Sequence, residues 1–145
     1  MSLLRNPRPY WNSDQLRERL AEAFGTANVA VLEDAEGALQ VVLAEAGDLE
    51  ITLVVSDDHI YVSTPLVTGA QVGDRAAFND ACLRLNPINP LSNLGLTTVD
   101  GEDMYEVFGE LSADSTEAQI VTEIRTLGVN AIDAIETLKP FLVHA

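Results

Sequence analysis

The sequence predicts an α+β fold in which an antiparallel sheet carries helices, in the element order α-ββββ-α-ββ-α. Apolar residues recur at helical spacing in three separate segments, they alternate with polar residues between positions 28 and 66, and a second hairpin signal lies near position 100. Short turns between the central strands leave no room for the crossovers that parallel strands need. A length of 145 residues suits a single domain over residues 1–145, with 1–12 as a lead segment and 13–142 as the folded body.

The first helix is predicted to begin after Asn12, because Asn12 followed by Gln15 resembles a capping box. The next turns place four apolar residues on one face, namely Leu16, Leu20, Ala23 and Phe24. Gly25 is a natural end for this helix.

Four antiparallel strands are predicted next. The clearest covers residues 49–55, where Leu49, Ile51, Leu53 and Val55 alternate with Glu50, Thr52 and Val54. Residues 29–32 and 39–44 are β-rich runs that precede it, and residues 59–64 follow it. Turn-forming residues at 34–37, 47–48 and 56–58 separate these runs, which predicts a meander.

Asp74 can cap a second helix, which Asn86-Pro87 ends because proline disfavours helical geometry in its predecessor. One face of this helix carries Ala77, Phe78, Ala81, Cys82 and Leu85. Leu83 falls on the opposite, polar side, where it is either an ordinary exposed leucine or a dimer contact.

A hairpin and a long helix complete the chain. Asp100-Gly101 is a hairpin signal between strands at 94–99 and 104–111. Asp114 with Glu117 then predicts the start of the last helix, and Pro140 its end. The predicted buried arc contains Ile120, Val121, Ile124, Leu127, Gly128, Ala131, Ile132, Ile135 and Leu138, whereas Glu123, Thr126, Asn130, Asp133 and Thr137 lie outside it. Gly128 within the arc predicts close packing or a kink.

The chain is strongly acidic, with a formal net charge of −15, and no Lys or Arg lies between Arg19 and Arg75. The strand region is therefore expected to project a negative potential, which disfavours nucleic acid and membrane surfaces and favours partners with basic segments. Acidity that serves solubility alone is the alternative. No segment approaches the ~20 apolar residues of a membrane span or the pattern of a signal peptide, and Cys82 is a single cysteine, so a cytoplasmic location is expected.

Catalytic signals are weak. His59 and His144 are the only histidines, and neither belongs to a motif for nucleophilic catalysis. Asp57, Asp58 and His59 are adjacent, so they converge on a metal only in an irregular turn, and a small metal-dependent hydrolase built on them is an alternative hypothesis. We expect no catalytic residue, cofactor or metal.

The element order over residues 13–142 resembles the type III secretion chaperone-like fold. The resemblance depends on the helix at 14–24, the hairpin at 49–62, the helix through Phe78 and Leu85, the Asp100-Gly101 hairpin and the amphipathic last helix. The stretch Asn86-Pro87-Ile88-Asn89-Pro90-Leu91-Ser92, followed by Leu94-Gly95-Leu96, is also similar to the uncharacterised bacterial YjfI-like family.

This resemblance implies a homodimer that binds a partner polypeptide without transforming a substrate. Apolar grooves and sheet edges would hold extended segments of the partner. For the YjfI-like branch it implies a protein of a phage-shock-protein-A-like membrane-stress system as partner, and an effector of a type III secretion system is the alternative. The contact residues expected on the second helix and the strands are Phe78, Leu83, Ile60 and Val62.

Overall fold

The computed structural model describes residues 10–143, which form three α-helices and six strands. The helices are α1 (Ser13–Phe24), α2 (Arg75–Leu85) and α3 (Glu117–Leu138). The strands are β1 (Val29–Val31), β2 (Ala38–Leu43), β3 (Leu49–Val55), β4 (His59–Thr68), β5 (Asn93–Val99) and β6 (Glu102–Ser112). This order confirms the predicted fold class. His144 and most of the predicted lead segment lie outside the described residues.

All six strands form one antiparallel sheet in the order β1-β2-β3-β4-β6-β5. The first four follow each other as the predicted meander. β6 then pairs with β4 along most of its length, which leaves the shorter β5 at the edge. The hairpin between β5 and β6 turns at Asp100 and Gly101, whose φ values of 50° and 80° match a turn with the twist that antiparallel strands require.

The helices cover one face of the sheet, and the core lies between them. α1 packs against β1 and β2, α3 packs across β3, β4 and β6, and α2 lies beside β5. Alternate strand residues are buried under these helices, among them Leu39, Val41, Ile51, Leu53, Ile60, Val62, Tyr105 and Val107. The opposite face carries no helix from residues 10–143, and its side chains are half-buried or exposed apart from the buried Ala38. The sheet therefore has one covered face and one open face.

Helix α3 begins later than the sequence predicts. Thr116 is its N-cap, because the Thr116 side chain accepts a hydrogen bond from the Gln119 amide and the Gln119 side chain accepts one from the Thr116 amide at 2.8 Å. This reciprocal pair satisfies two amides that would otherwise lack partners, so the predicted start at Asp114 is wrong. The close packing expected at Gly128 is confirmed, since a Cβ built there would collide with the side chain of Leu43.

The buried face of α3 is wider than its apolar residues indicate. Glu123 and Asn130, which were predicted to lie outside the buried arc, are only 4% and 5% exposed. Ile132, which was predicted to be buried, is 45% exposed. The helix is rotated so that a polar stripe enters the interior. None of the helices in residues 10–143 is long and apolar enough to cross a membrane.

Candidate functional site

An apolar groove lies between helix α2 and the edge strand β5. It encloses about 240 Å³, and we call it the α2–β5 groove. Cys82, Leu83, Leu94 and Leu96 supply its apolar walls, while Asn79 and Tyr105 supply polar groups. Burial raises the pKa of the Cys82 thiol to about 11, so this cysteine is a packing residue more than a nucleophile at neutral pH.

The groove exists because β5 is an edge strand and α2 is short. β5 pairs with β6 on one side, and its other edge pairs with no strand within residues 10–143. Leu96 lies opposite Tyr105 on the covered face, yet it stays 49% exposed because the 11 residues of α2 do not extend over it. Leu83 lines the groove from α2 and is 70% exposed.

Exposed apolar side chains concentrate in the segment from the end of α2 to the end of β5. Of the ten large apolar side chains that are exposed within the described part of the chain, five lie between positions 83 and 99: Leu83, Ile88, Leu91, Leu96 and Val99. Two of them, Leu83 and Leu96, line the α2–β5 groove, and exposed apolar side chains at a groove are typical of a surface that another molecule covers.

A polar network holds α2 against β6 next to the groove. Arg75 donates from Nε to the Tyr105 hydroxyl at 2.9 Å and from Nη2 to the Asp103 carboxylate at 2.8 Å. The Tyr105 hydroxyl in turn donates to Asn79 on α2. The hydrogen bond to Asp103, and then the bond to Tyr105, raise the pKa of Arg75. The groove is therefore a fixed feature, because both of its walls are tied to the same strand.

The open face of the sheet is the second surface that a partner could use. Tyr61 stacks on Phe108 with ring centroids 5.6 Å apart, and its hydroxyl donates to Glu106. Burial, followed by the bond to Glu106, raises the pKa of Tyr61. Glu50 and Glu110 lie on the same face, which is consequently acidic.

Local ion pairs neutralise much of the scarce positive charge. Four of the six Lys and Arg residues within positions 10–143 pair with a nearby carboxylate: Arg19 with Glu22, Arg75 with Asp103, Arg84 with Asp80, and Arg125 with Glu45. Most acidic residues therefore remain without an ion-pair partner among residues 10–143, and the negative potential expected of the strand region stays a prediction.

The four predicted contact residues have different positions. Phe78, Ile60 and Val62 are fully buried, and Phe78 packs edge-on against Tyr105 with ring centroids 4.5 Å apart. These three side chains belong to the core, so they are not available for a contact at the surface of the folded chain. Leu83 is exposed in the α2–β5 groove, and its role as a contact stays a prediction.

The residues of the alternative metal site are not brought together. Asp57, Asp58 and His59 lie at the exposed β3–β4 turn, where His59 Nδ1 is 2.7 Å from an Asp58 carboxylate oxygen. Within positions 10–143, no group of three or more His, Cys, Asp or Glu residues is placed to hold a metal ion.

Sequence reasoning missed two buried polar residues on α3. Asn130 donates from Nδ2 to the Pro90 carbonyl at 2.8 Å and to Ser92 Oγ at 3.1 Å, so it ties the loop before β5 to the helix. Glu123 is buried, and its Oε1 atom has no hydrogen-bond partner among the described residues. Burial raises the pKa of Glu123. A signal was present, because Glu123, Leu127, Asn130 and Ala134 recur at helical spacing on one stripe.

Comparison with protein families gives one match over nearly the whole chain. A family model described as "Uncharacterized protein conserved in bacteria (DUF2170)" matches residues 10–142. Among individual proteins, the uncharacterized protein YjfI of Escherichia coli K12 is 31% identical over 108 residues, which cover 74% of this chain and 81% of YjfI. The YjfI-like resemblance is thereby confirmed.

Comparison with solved structures confirms the chaperone-like fold. YbjN from E. coli superimposes with a TM-score of 0.62 at 17% identity, covering 93% of this chain and 97% of YbjN. A chain of the ExoU–SpcU complex from the type III secretion system of Pseudomonas aeruginosa gives a TM-score of 0.57 at 15% identity and covers 86% of this chain and 98% of that chain. A chain of the ExsC–ExsE complex gives 0.54 at 15% identity, with 81% and 86% covered. At these identities the likeness concerns the fold.

Proposed function

Because this chain belongs to the DUF2170 family of bacterial proteins and shares its fold with chains of two protein–protein complexes, we propose that it is a non-enzymatic module that binds a partner polypeptide at the α2–β5 groove. The observation that carries the proposal is an edge of β5 that pairs with no strand of residues 10–143 and lies directly beside an exposed apolar groove.

An extended polypeptide can use both features together. The free edge of β5 offers main-chain amides and carbonyls for an added strand, and alternate side chains of that strand reach the groove. Leu83 and Leu96 would pack against an apolar anchor of the partner. Burying one such anchor is worth about 1.5–3 kcal/mol, which corresponds to roughly 10- to 100-fold in affinity.

The charge distribution supports a partner with basic segments. The net charge of −15 and the acidic open face attract Lys- and Arg-rich polypeptide over about one Debye length, roughly 10 Å at 0.1 M salt. Association with such a partner is expected to weaken as salt rises.

The identity of the partner separates three versions of the proposal. A second copy of the chain would make the protein a homodimer. A phage-shock-protein-A-like membrane-stress protein is the partner that the YjfI-like relationship suggests. A type III secretion effector would make the chain a secretion chaperone, which the likeness to the chain from the ExoU–SpcU complex supports. The cytoplasmic location stays part of the proposal in all three versions.

The test compares two exposed positions by affinity capture and light scattering. Leu83→Asp puts a charge into the α2–β5 groove, whereas Val129→Asp puts the same charge on α3 at a position that is 59% exposed and does not line the groove. We expect the parent protein and Val129→Asp to capture the same partner, and Leu83→Asp to lose at least nine-tenths of it. If a second copy is the partner, Leu83→Asp will halve the mass measured by light scattering.

Equal capture and equal mass for all three proteins would refute the groove as the binding surface. Catalytic turnover of a small molecule, with no partner bound by the parent, would refute the proposal as a whole.

A further inference from the structure

A second pocket lies at the other end of β6, where the first turns of α3 meet the loop before β5. It encloses about 420 Å³ and is lined by Leu91, Leu111, Ala118, Gln119, Thr122 and Glu123, with Glu110 alongside. We call it the carboxylate pocket. Its walls are mainly apolar, and its charged groups are both carboxylates.

Glu123 is the unusual member of this pocket. The residue is only 4% exposed, and its Oε1 atom has no hydrogen-bond partner among the described residues. A buried acceptor without a partner costs about 1–3 kcal/mol, and a buried ionised carboxylate costs more unless a cation pairs with it. The basic residues that form ion pairs in this structure are directed to other carboxylates.

A second acceptor lies next to this carboxylate. A Cβ built on Gly109 would collide with Glu123 Oε1 and would lie 3.0 Å from the Leu91 carbonyl oxygen. Both oxygens therefore lie close to Gly109 on β6, and Glu123 Oε1 occupies the volume that a side chain at this position would fill. Two acceptors that lie close together suit a donor with several N–H groups.

The loop that carries Leu91 is held in a strained conformation. Leu91 has a φ of 64°, and the Ser92 amide donates to the Pro90 carbonyl at 2.8 Å across it. Such a three-residue turn with positive φ is unfavourable for a leucine. Asn130 maintains it through its bonds to the Pro90 carbonyl and to Ser92 Oγ. The molecule thus keeps the Leu91 carbonyl beside Glu123 at an energetic cost.

We propose that the carboxylate pocket binds a lysine side chain of the partner polypeptide, with Glu123 as the counter-charge and the Leu91 carbonyl as a second acceptor for the ammonium group. The apolar walls fit the four-carbon stem of lysine, and the two acceptors fit a compact head with three donors better than the planar fork of arginine. Glu110, which is exposed at the pocket, attracts the same cation. This inference deepens the proposed function and depends on it, because it assumes that the ligand is a polypeptide.

The test is an NMR titration of the full chain with four small probes. Three are capped pentapeptides with alanine at every position except the central one, which is lysine in the first, norleucine in the second and arginine in the third. The fourth probe is free n-butylamine. We expect the lysine peptide to shift the amide signals of Leu111, Gln119 and Thr122 in a saturable way. The protein should bind the norleucine peptide with at least tenfold lower affinity than the lysine peptide. It should also bind the arginine peptide and the free amine more weakly than the lysine peptide.

Variants connect this binding to the pocket. Glu123→Gln keeps the side-chain shape and should lower the affinity for the lysine peptide at least tenfold, whereas Glu136→Gln removes an exposed charge from the same helix and should leave it within twofold. Ala118→Arg changes an exposed position on the pocket wall, so it tests the pocket without disturbing the core, and its guanidinium should block the peptide.

The inference is overturned if norleucine binds as well as lysine, if arginine binds more tightly, or if the pocket amides do not move. If free n-butylamine binds as tightly as the lysine peptide, the inference that the cation comes from a polypeptide is overturned. Failure of the proposed function is distinct, because it is detected by equal partner capture in Leu83→Asp and the parent, whatever occurs at Glu123.

Discussion

The substitution Glu123→Gln should stabilise the free protein at neutral and alkaline pH and leave its stability unchanged in acid. Burial raises the pKa of Glu123 in the folded state above the value of about 4.3 that it has in the unfolded chain. Below pH 4 the carboxyl is protonated in both states. As pH rises, the unfolded chain ionises freely while the folded chain resists ionisation, so the parent loses stability until the pH passes the folded-state pKa.

The magnitude follows from the environment of Oε1. One buried acceptor without a partner costs about 1–3 kcal/mol, and the amide group of glutamine can instead donate to the Leu91 carbonyl beside Gly109. We therefore expect Glu123→Gln to exceed the parent by about 1–3 kcal/mol in the free energy of unfolding at pH 8. The gain should diminish toward zero at pH 4.

Urea unfolding at pH 4, 6 and 8 measures this difference. Trp11 is a suitable fluorescent reporter, because its indole Nε1 donates to the Ser115 carbonyl at 2.7 Å near the start of α3. Glu136→Gln serves as the control, since it removes an exposed carboxylate from the same helix and should change stability by less than about 0.5 kcal/mol. A difference between Glu123→Gln and the parent that is constant across these pH values, or a loss of stability at pH 8, would refute the reasoning.

Two further predictions concern other buried groups. Asn130→Ala should destabilise the protein by about 1–3 kcal/mol, because Ser92 Oγ loses the Asn130 donor and the Pro90 carbonyl keeps only the bond from the Ser92 amide. Calorimetry against the exposed Asp133→Ala should show the loss only for Asn130→Ala. Cys82 should react slowly with iodoacetamide at pH 7, since burial raises its pKa to about 11. If the native protein is labelled as fast as the protein unfolded in urea, the packing role of Cys82 is contradicted.

The boundaries of regular structure could be predicted well where one local signal acts alone. Asn12 caps α1 and Asp74 caps α2, in each case by accepting from the amide three residues ahead. At the start of α3 the sequence offers two candidate N-cap residues, Asp114 and Thr116. Thr116 is the N-cap in the structure, because its side chain and that of Gln119 each accept a hydrogen bond from the other residue's amide. Propensity alone could not rank them.

The candidate sites were less accessible to prediction. The sequence placed Leu83 outside the buried face of α2, which the structure supports, but it also suggested Phe78, Ile60 and Val62, which the helices cover. Whether an apolar residue is a core residue or a contact depends on which elements lie over it, and the pattern of one strand or helix does not contain that information.

By itself, the sequence determined the element order, the antiparallel meander and the excess of acidic residues. These depend on local periodicity, turn chemistry and composition, which neighbouring residues encode. Only the tertiary structure decided that β6 separates β4 from β5, that Leu83 and Leu96 share a groove, and that Glu123 and the Leu91 carbonyl both lie beside Gly109. Those facts arise from contacts between residues distant in sequence, whose energy depends on packing and desolvation in three dimensions.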